Sequence, residues 1–222
     1  MSHRFATVGR SAVAALAFLF VGAVPCLAQS DVTSPGDAVV VISGLNDGDG
    51  FSGAPPAAEG AANAIDNTTN KYLNFLDLGS GLIVTPTFGL NTGGTIVTGL
   101  RLFTANDAPE RDPASYTLEG ATSPAGPWTL ISSGALDLPT GRNVTTNPPT
   151  PIDALTQFSQ TVTFSNANGY TSYRLVFPTL RNAATANSMQ IGEVELLGVA
   201  VPTPTSALLL TFAGGLALRR RR

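Results

Sequence analysis

Residue types able to do covalent or metal chemistry are scarce in this chain, and their positions exclude most catalytic machinery. The only histidine is His3 and the only cysteine is Cys26, both ahead of residue 29. If a leader ending at Ala28 is removed, as read below, neither survives. Ser-His-Asp and Cys-His nucleophiles, structural zinc, His-ligated iron or copper, haem on His or Cys and iron-sulfur clusters are then all excluded, as is a disulfide framework. Oxygen chemistry remains. Asp66, Asn67, Thr68 and Thr69 place a carboxylate, an amide and two hydroxyls within four residues, a set suited to a hard cation such as Ca²⁺. The alternative for the same residues is an Asx-type turn without metal. Asn46-Asp47-Gly48-Asp49-Gly50 lacks the closing acidic ligand of an EF-hand loop and reads as a plain turn.

The densest charge lies at 105–113, where Asn106, Asp107, Glu110, Arg111 and Asp112 could hydrogen-bond sugar hydroxyls. Equally, Arg111 could pair internally with a neighbouring carboxylate and fix the loop. A sugar site also wants an aromatic face, and Phe51, Tyr72 and Phe88 lie in or near expected loops. Trp128, after a Gly-Pro turn, reads as a wall of the core or as a sugar platform.

The elements that must position these residues are short strands. Gly/Pro/Asn/Asp clusters separate β-rich runs at 39–43, 72–76, 82–86, 95–104, 115–120, 128–132, 160–164, 172–177 and 191–197, with no long amphipathic helix among them. Alternation puts Tyr116, Leu118, Val162, Phe164, Tyr173, Leu175, Phe177, Val194 and Leu196 inward, and Thr117, Glu119, Arg174, Glu193 and Glu195 outward. One short helix fits at 57–65. The expectation is an all-β jelly-roll sandwich. Between residues 29 and 200 six cations face fifteen carboxylates, a net charge of −9, so nucleic acid is not an expected partner.

The two ends read as addresses. Arg4 and Arg10 precede the apolar run 12–24, which is followed by small residues at Cys26 and Ala28, the pattern of a signal peptide over 1–28. At the other end Pro202-Thr203-Pro204 leads into an apolar segment and then Arg219, Arg220, Arg221 and Arg222, a basic cluster that holds this end inside. The order resembles the PEP-CTERM sorting tail of bacterial envelope proteins, with Pro-Thr-Pro in place of Pro-Glu-Pro. That resemblance implies recognition by an exosortase-type transpeptidase, and the plain alternative is a membrane anchor. The expected organisation is a signal peptide at 1–28, a linker at 29–37, one folded domain at 38–198, a linker at 199–205 and an apolar sorting or anchor helix at 206–222.

Within the domain, Asn63-Ala64-Ile65-Asp66 leading to Lys71-Tyr72-Leu73-Asn74-Phe75, then 97–102, Arg111-Asp112-Pro113-Ala114-Ser115-Tyr116, Gly126-Pro127-Trp128 and Met189-Gln190-Ile191-Gly192-Glu193-Val194-Glu195-Leu196 resemble the discoidin, or coagulation-factor type C, modules. The resemblance implies the galactose-binding-like jelly roll, non-catalytic carbohydrate binding through loops at one end, and a structural calcium ion. By motif the calcium would fall on Asp66, with Thr69 beside it, and on Glu193. No organic cofactor is implied.

The resulting expectation is an exported, non-catalytic glycan-binding module of the cell envelope or extracellular matrix. Its ligand-binding residues would be Tyr72, Asn106, Asp107, Glu110, Arg111 and Asp112, and its partners an extracellular glycan, a sorting transpeptidase and the membrane. The alternatives are a structural envelope or matrix protein on the same fold and, further off, a small glycosidase using two of the loop carboxylates.

Overall fold

The computed structural model describes residues 29–42, 55–75, 78–89 and 93–201. The leader, the 46–50 turn, Phe51 and the tail with Pro202, Pro204 and Arg219 to Arg222 lie outside the described residues. Among those described, no helix is long and apolar enough to cross a membrane.

Among the described residues, eleven strands form three antiparallel sheets. They are β1 (Ser30–Asp31), β2 (Ala38–Ile42), β3 (Tyr72–Phe75), β4 (Ser80–Thr85), β5 (Thr95–Phe103), β6 (Ser115–Ala121), β7 (Thr129–Ala135), β8 (Ser159–Thr163), β9 (Ser172–Phe177), β10 (Ser188–Ile191) and β11 (Glu193–Ala200). One sheet has the order β2-β4-β9-β6-β7, the second β1-β11-β5-β8, and β10 pairs with β3 alone. The inner faces meet as the alternation predicts. Leu82, Val84, Tyr116, Leu118, Tyr173, Leu175 and Phe177 pack in one cluster with Val97, Leu100, Leu102, Val194 and Leu196, and Val162 and Phe164 pack against its margin. Burying side chains of this size is worth about 1.5–3 kcal/mol each against leaving them in water, the main source of stability in a chain with no disulfide.

Four expectations need correction. The segment 29–37 is not a linker: β1 pairs with β11 through Ser30 opposite Gly198, and Val32 is buried in the core. Residues 199 and 200 likewise belong to β11. The helix at 57–65 is two 3-10 helices, Ala57–Glu59 and Ala61–Ile65, the second burying Ala64 and Ile65. The strand expected at 191–197 is broken at Gly192. A Cβ there would sit 2.5 Å from the Thr104 carbonyl oxygen, so only glycine lets the chain pass that close while it switches from β10 to β11.

The outward assignment of Glu193 and Glu195 fails as well. Every residue of β11 from Glu193 to Gly198 is buried. The covering comes from Thr33, whose hydroxyl lies 3.3 Å from the Val194 carbonyl oxygen, and from the turn after Ile65, where the Asn67 amide donates to Glu193. Alternation identifies the two faces of a strand but cannot say that another segment lies on the outer one.

The course of the strands sorts the loops into two ends. Ala200 pairs with Thr95, and Thr95 with Tyr170, so both ends of the described chain leave beside 93–95 and 164–171. The loops 104–114, 136–158 and 178–187 gather at the opposite end. There the Asn143 amide donates to the Ala105 carbonyl, and Pro113 bridges Leu180.

Candidate functional site

Two clusters of the expected site residues are brought together, one beneath the loop end and one in it. The first joins the Asp66 turn to β11. Asp66 Oδ1 accepts from the Thr68 amide at 2.8 Å and the Thr68 hydroxyl at 2.7 Å, while Oδ2 accepts from Asn70 Nδ2 at 2.9 Å. Asn67 takes the left-handed backbone, φ 58°, which asparagine tolerates better than most side chains. Its amide donates to Glu193 Oε1 at 3.2 Å.

Glu193 itself is fully buried, and its Oε2 has no hydrogen-bond partner. Burial is the main cause that pushes its carboxyl up to about 10, with the nearby Asp66, Asp31 and Glu195 charges adding to the push against the Asn67 amide. Asp31 is pushed up to about 6 by the same kind of burial, although the Thr33 amide and hydroxyl both donate to it.

A buried carboxylate oxygen without a donor, next to a second carboxylate, is what a hard cation would satisfy. No grouping of three acidic side chains able to hold a metal occurs among the described residues, so an ion here would have to complete its shell with neutral oxygens, as Ca²⁺ readily does. On this test Asp66 and Glu193 fit the group. Thr69 has another task. Its hydroxyl accepts from the Thr150 amide and its carbonyl from the Thr145 hydroxyl, so it straps the turn to the 136–158 excursion.

The second cluster is the charged loop. Lys71 lies almost wholly buried, with Nζ 2.8 and 3.0 Å from the Asp107 carboxylate oxygens, 3.4 Å from Glu59 and 3.5 Å from Gln190 Oε1. Gln190 Nε2 donates to the Asp107 and Ala108 carbonyls, so β10 holds the loop from below.

Asp112 is completely buried. Arg142 grips it with two parallel bonds, 2.8 Å to Oδ1 and 2.7 Å to Oδ2, and Arg181 lies 3.3 Å from Oδ2. Burial pushes the Asp112 carboxyl above its ordinary range while the two guanidinium groups pull the other way. The remaining Arg142 donors reach the Asp107, Pro139, Thr140 and Gly141 carbonyls, so one arginine ties two loops together.

These contacts divide the expected ligand-binding residues. Asn106 and Asp107 are exposed at the loop end, and Glu110 and Arg111 are half-buried there. Asp112 is a sealed internal anchor, closed to any ligand by Arg142. The internal pairing foreseen for Arg111 falls instead to Arg142 and Arg181, and Arg111 Nε is buried without a partner. Tyr72 is not a sugar platform: its ring is wholly buried and its hydroxyl lies 3.0 Å from Ser80 Oγ.

Trp128 is neither core nor free platform. The Arg174 guanidinium sits 5.2 Å from its ring centroid on the outer face of the five-stranded sheet, and Arg174 also pairs with Glu119. Phe88 is exposed but stands after β4, at the end where the chain termini leave. Two exposed aromatics stand at the loop end, Phe75, 43% accessible at the close of β3, and Phe158, 47% accessible where the 136–158 excursion enters β8. A signal was available for Phe75, which stands near the end of a β-rich run that gives way to Leu76-Asp77-Leu78-Gly79-Ser80-Gly81.

The architecture defines a class, the galactose-binding-like β-sandwich. The family 32 carbohydrate-binding module of NanJ from Clostridium perfringens, solved in complex with galactose, superposes with a TM-score of 0.50 at 12% identity over 76% of this chain and 98% of that module. The C-terminal domain of a chitobiase from Bacteroides fragilis gives a TM-score of 0.49 at 12% identity, covering 78% of this chain and 99% of that domain. At such identity the likeness to the NanJ module speaks to the fold alone. No family model matches the sequence. No curated protein matches it either.

Proposed function

We propose that this chain is a non-catalytic carbohydrate-binding module that meets its glycan at the loop end, through Asn106, Asp107, Glu110 and Arg111 with Phe75 as the aromatic contact. The carrying observation is the construction of that end. Exposed polar groups and two exposed aromatics, Phe75 and Phe158, stand at an end whose loops are held rigid from beneath by the Lys71–Asp107 and Arg142–Asp112 pairs. Preorganised groups lose little freedom on binding, and a pyranose takes an apolar ring face together with planar polar groups. The galactose complex of the NanJ module supports the reading, because that protein carries a sugar on the same fold.

The carboxylate arrangement favours binding over hydrolysis. Asp112 is sealed and Asp107 is paired with Lys71, which leaves Glu110 alone among the carboxylates of the 105–113 loop, whereas glycoside hydrolysis uses two that face each other across the sugar. Calcium, where bound, would be held by Asp66 and Glu193 and would neutralise the buried acid that fixes the turn. The ion would act on stability and not on the sugar.

Export and a PEP-CTERM-type tail complete the proposal. Because residue 201 leaves at the end opposite the loops, a tail held at a membrane would present the loop end outward. Mass spectrometry of the protein from its host is expected to find the mature chain without Arg219 to Arg222, and an intact terminus would leave only the anchor.

Binding is tested by affinity electrophoresis in gels containing neutral and acidic polysaccharides. Retardation is expected, with Phe75→Ala weakening it about tenfold or more, the loss of one aromatic contact. Retardation unaffected by Phe75→Ala, Phe158→Ala and Asn106→Ala alike would move the site away from the loop end.

A further inference from the structure

The charges of this acidic domain are distributed unevenly. Residues 121–136 and 154–173 contain no charged side chain, and these two stretches include β7 and β8, the terminal strands of the two large sheets. The Asp137 amide donates to Gln160 Oε1 and joins the two strands' surroundings, so one flank of the sandwich is neutral along both strands and carries the exposed Asp137 carboxylate only past the end of β7. The opposite flank differs: β1 contains Asp31, and Asp37 immediately precedes β2.

Folded proteins guard an open edge strand with charge, proline or a short length. None of these guards β7; a bulge at Ile131, the residue passed over in its pairing with β6, interrupts it once and leaves Ser132 to Ala135 as the regular open stretch. It runs for seven residues, Thr-Leu-Ile-Ser-Ser-Gly-Ala, without charge or proline; Leu130 is 60% exposed and Ser133, Gly134 and Ala135 are exposed. Its one described neighbour is β6, so the backbone groups of the other edge face outward.

We propose that a second copy of this chain pairs with the first along β7, antiparallel and about a two-fold axis. The charge distribution selects this occupant. A body carrying −9 over residues 29–200 repels its own copy most strongly where its carboxylates stand, and β7 is the long open edge from which they are missing. A two-fold contact is self-complementary by construction, and antiparallel pairing is the arrangement in which identical edges exchange hydrogen bonds directly.

The axis lies across the strands, so the two loop ends point in opposite directions. The pair would therefore bridge two surfaces, and two weak sites would act with the avidity of a linked pair. The pairing itself does not depend on what the loops bind.

The test uses the full chain in detergent micelles with Cys26→Ser as background. Ser133→Cys on β7 is expected to form a disulfide-linked dimer on mild oxidation, and Thr163→Cys, equally exposed on β8, is not. Sedimentation should give a dimer whose dissociation constant rises about tenfold in Ser133→Lys, where like charges face each other across the axis, and stays unchanged in Thr163→Lys. Equal cross-linking at both positions would assign association to the tail and overturn the proposal. A monomer at high concentration, or no cross-link at position 133, would overturn it as well.

Discussion

Replacing Glu193 by glutamine is expected to flatten the pH dependence of stability in the chelated protein between about pH 6.5 and 9. The folded state holds this carboxyl up to about 10, against an ordinary value of 4.5. Between those values the folded chain keeps a proton that the unfolded chain has released. Its contribution is therefore complete below about pH 4.5 and is lost progressively as pH rises toward 10. Each pH unit in that window costs about 1.4 kcal/mol, so the step from pH 6 to pH 8 removes roughly 3 kcal/mol. Asp31, raised to about 6, contributes only to the acid side of this range, which leaves the upper part to report Glu193.

Calcium reverses the sign of that trend. An ion at Asp66 and Glu193 takes the place of the proton, so added Ca²⁺ should raise the melting temperature strongly at pH 8 and little at pH 5, where protons compete for the same oxygens. Thermal melts at both pH values, with calcium and with a chelator, read both effects. A chelated wild type as stable at pH 8 as at pH 6 would remove the buried acid from the account, and a melt indifferent to calcium at pH 8 would remove the ion.

The second large effect belongs to Asp112. Asp112→Ala should destabilise the fold by about 2–3 kcal/mol, the lower side of what breaking a buried pair costs, because both arginines retain some contact with water. For a domain of this length that lowers the melting temperature by roughly 4–12 °C. The loss comes from Arg142, left with two donors facing an empty place between loops 104–114 and 136–158. Glu119→Gln, which breaks the more exposed pair with Arg174, should change stability by about 1 kcal/mol or less. Calorimetry on the two variants compares them directly, and equal effects would mean that Asp112 is not the anchor of the loop end.

Much of the sandwich was legible in the sequence, and the omissions have physical reasons. Tyr116-Thr117-Leu118-Glu119 and Tyr173-Arg174-Leu175 alternate because one face is core and the other wet, and both became strands with the faces expected. β1 was missed because two residues carry no periodicity and are held only by β11. Tyr72, Glu193 and Glu195 were misjudged for one shared reason: a strand covered on both faces does not announce its cover.

At the candidate site, the loop 105–113 was visible as a concentration of charge, but its internal wiring was not. Asp112 finds Arg142 and Arg181, and Asp107 finds Lys71, across sequence separations that composition and spacing do not encode. The turn at Asp66 was visible because Asp, Asn and Thr stand together. That it faces a buried, half-satisfied Glu193 came from the fold.

The measurement closest to the central claim is a glycan array probed with the purified chain, once with calcium and once with a chelator. Selective binding to a subset of glycans is the result this account predicts, with the chelator changing the melting temperature of the protein more than its choice of sugar. Uniform silence from a protein shown by its melt to be folded would contradict it, and would leave the sandwich as a structural element of its surface.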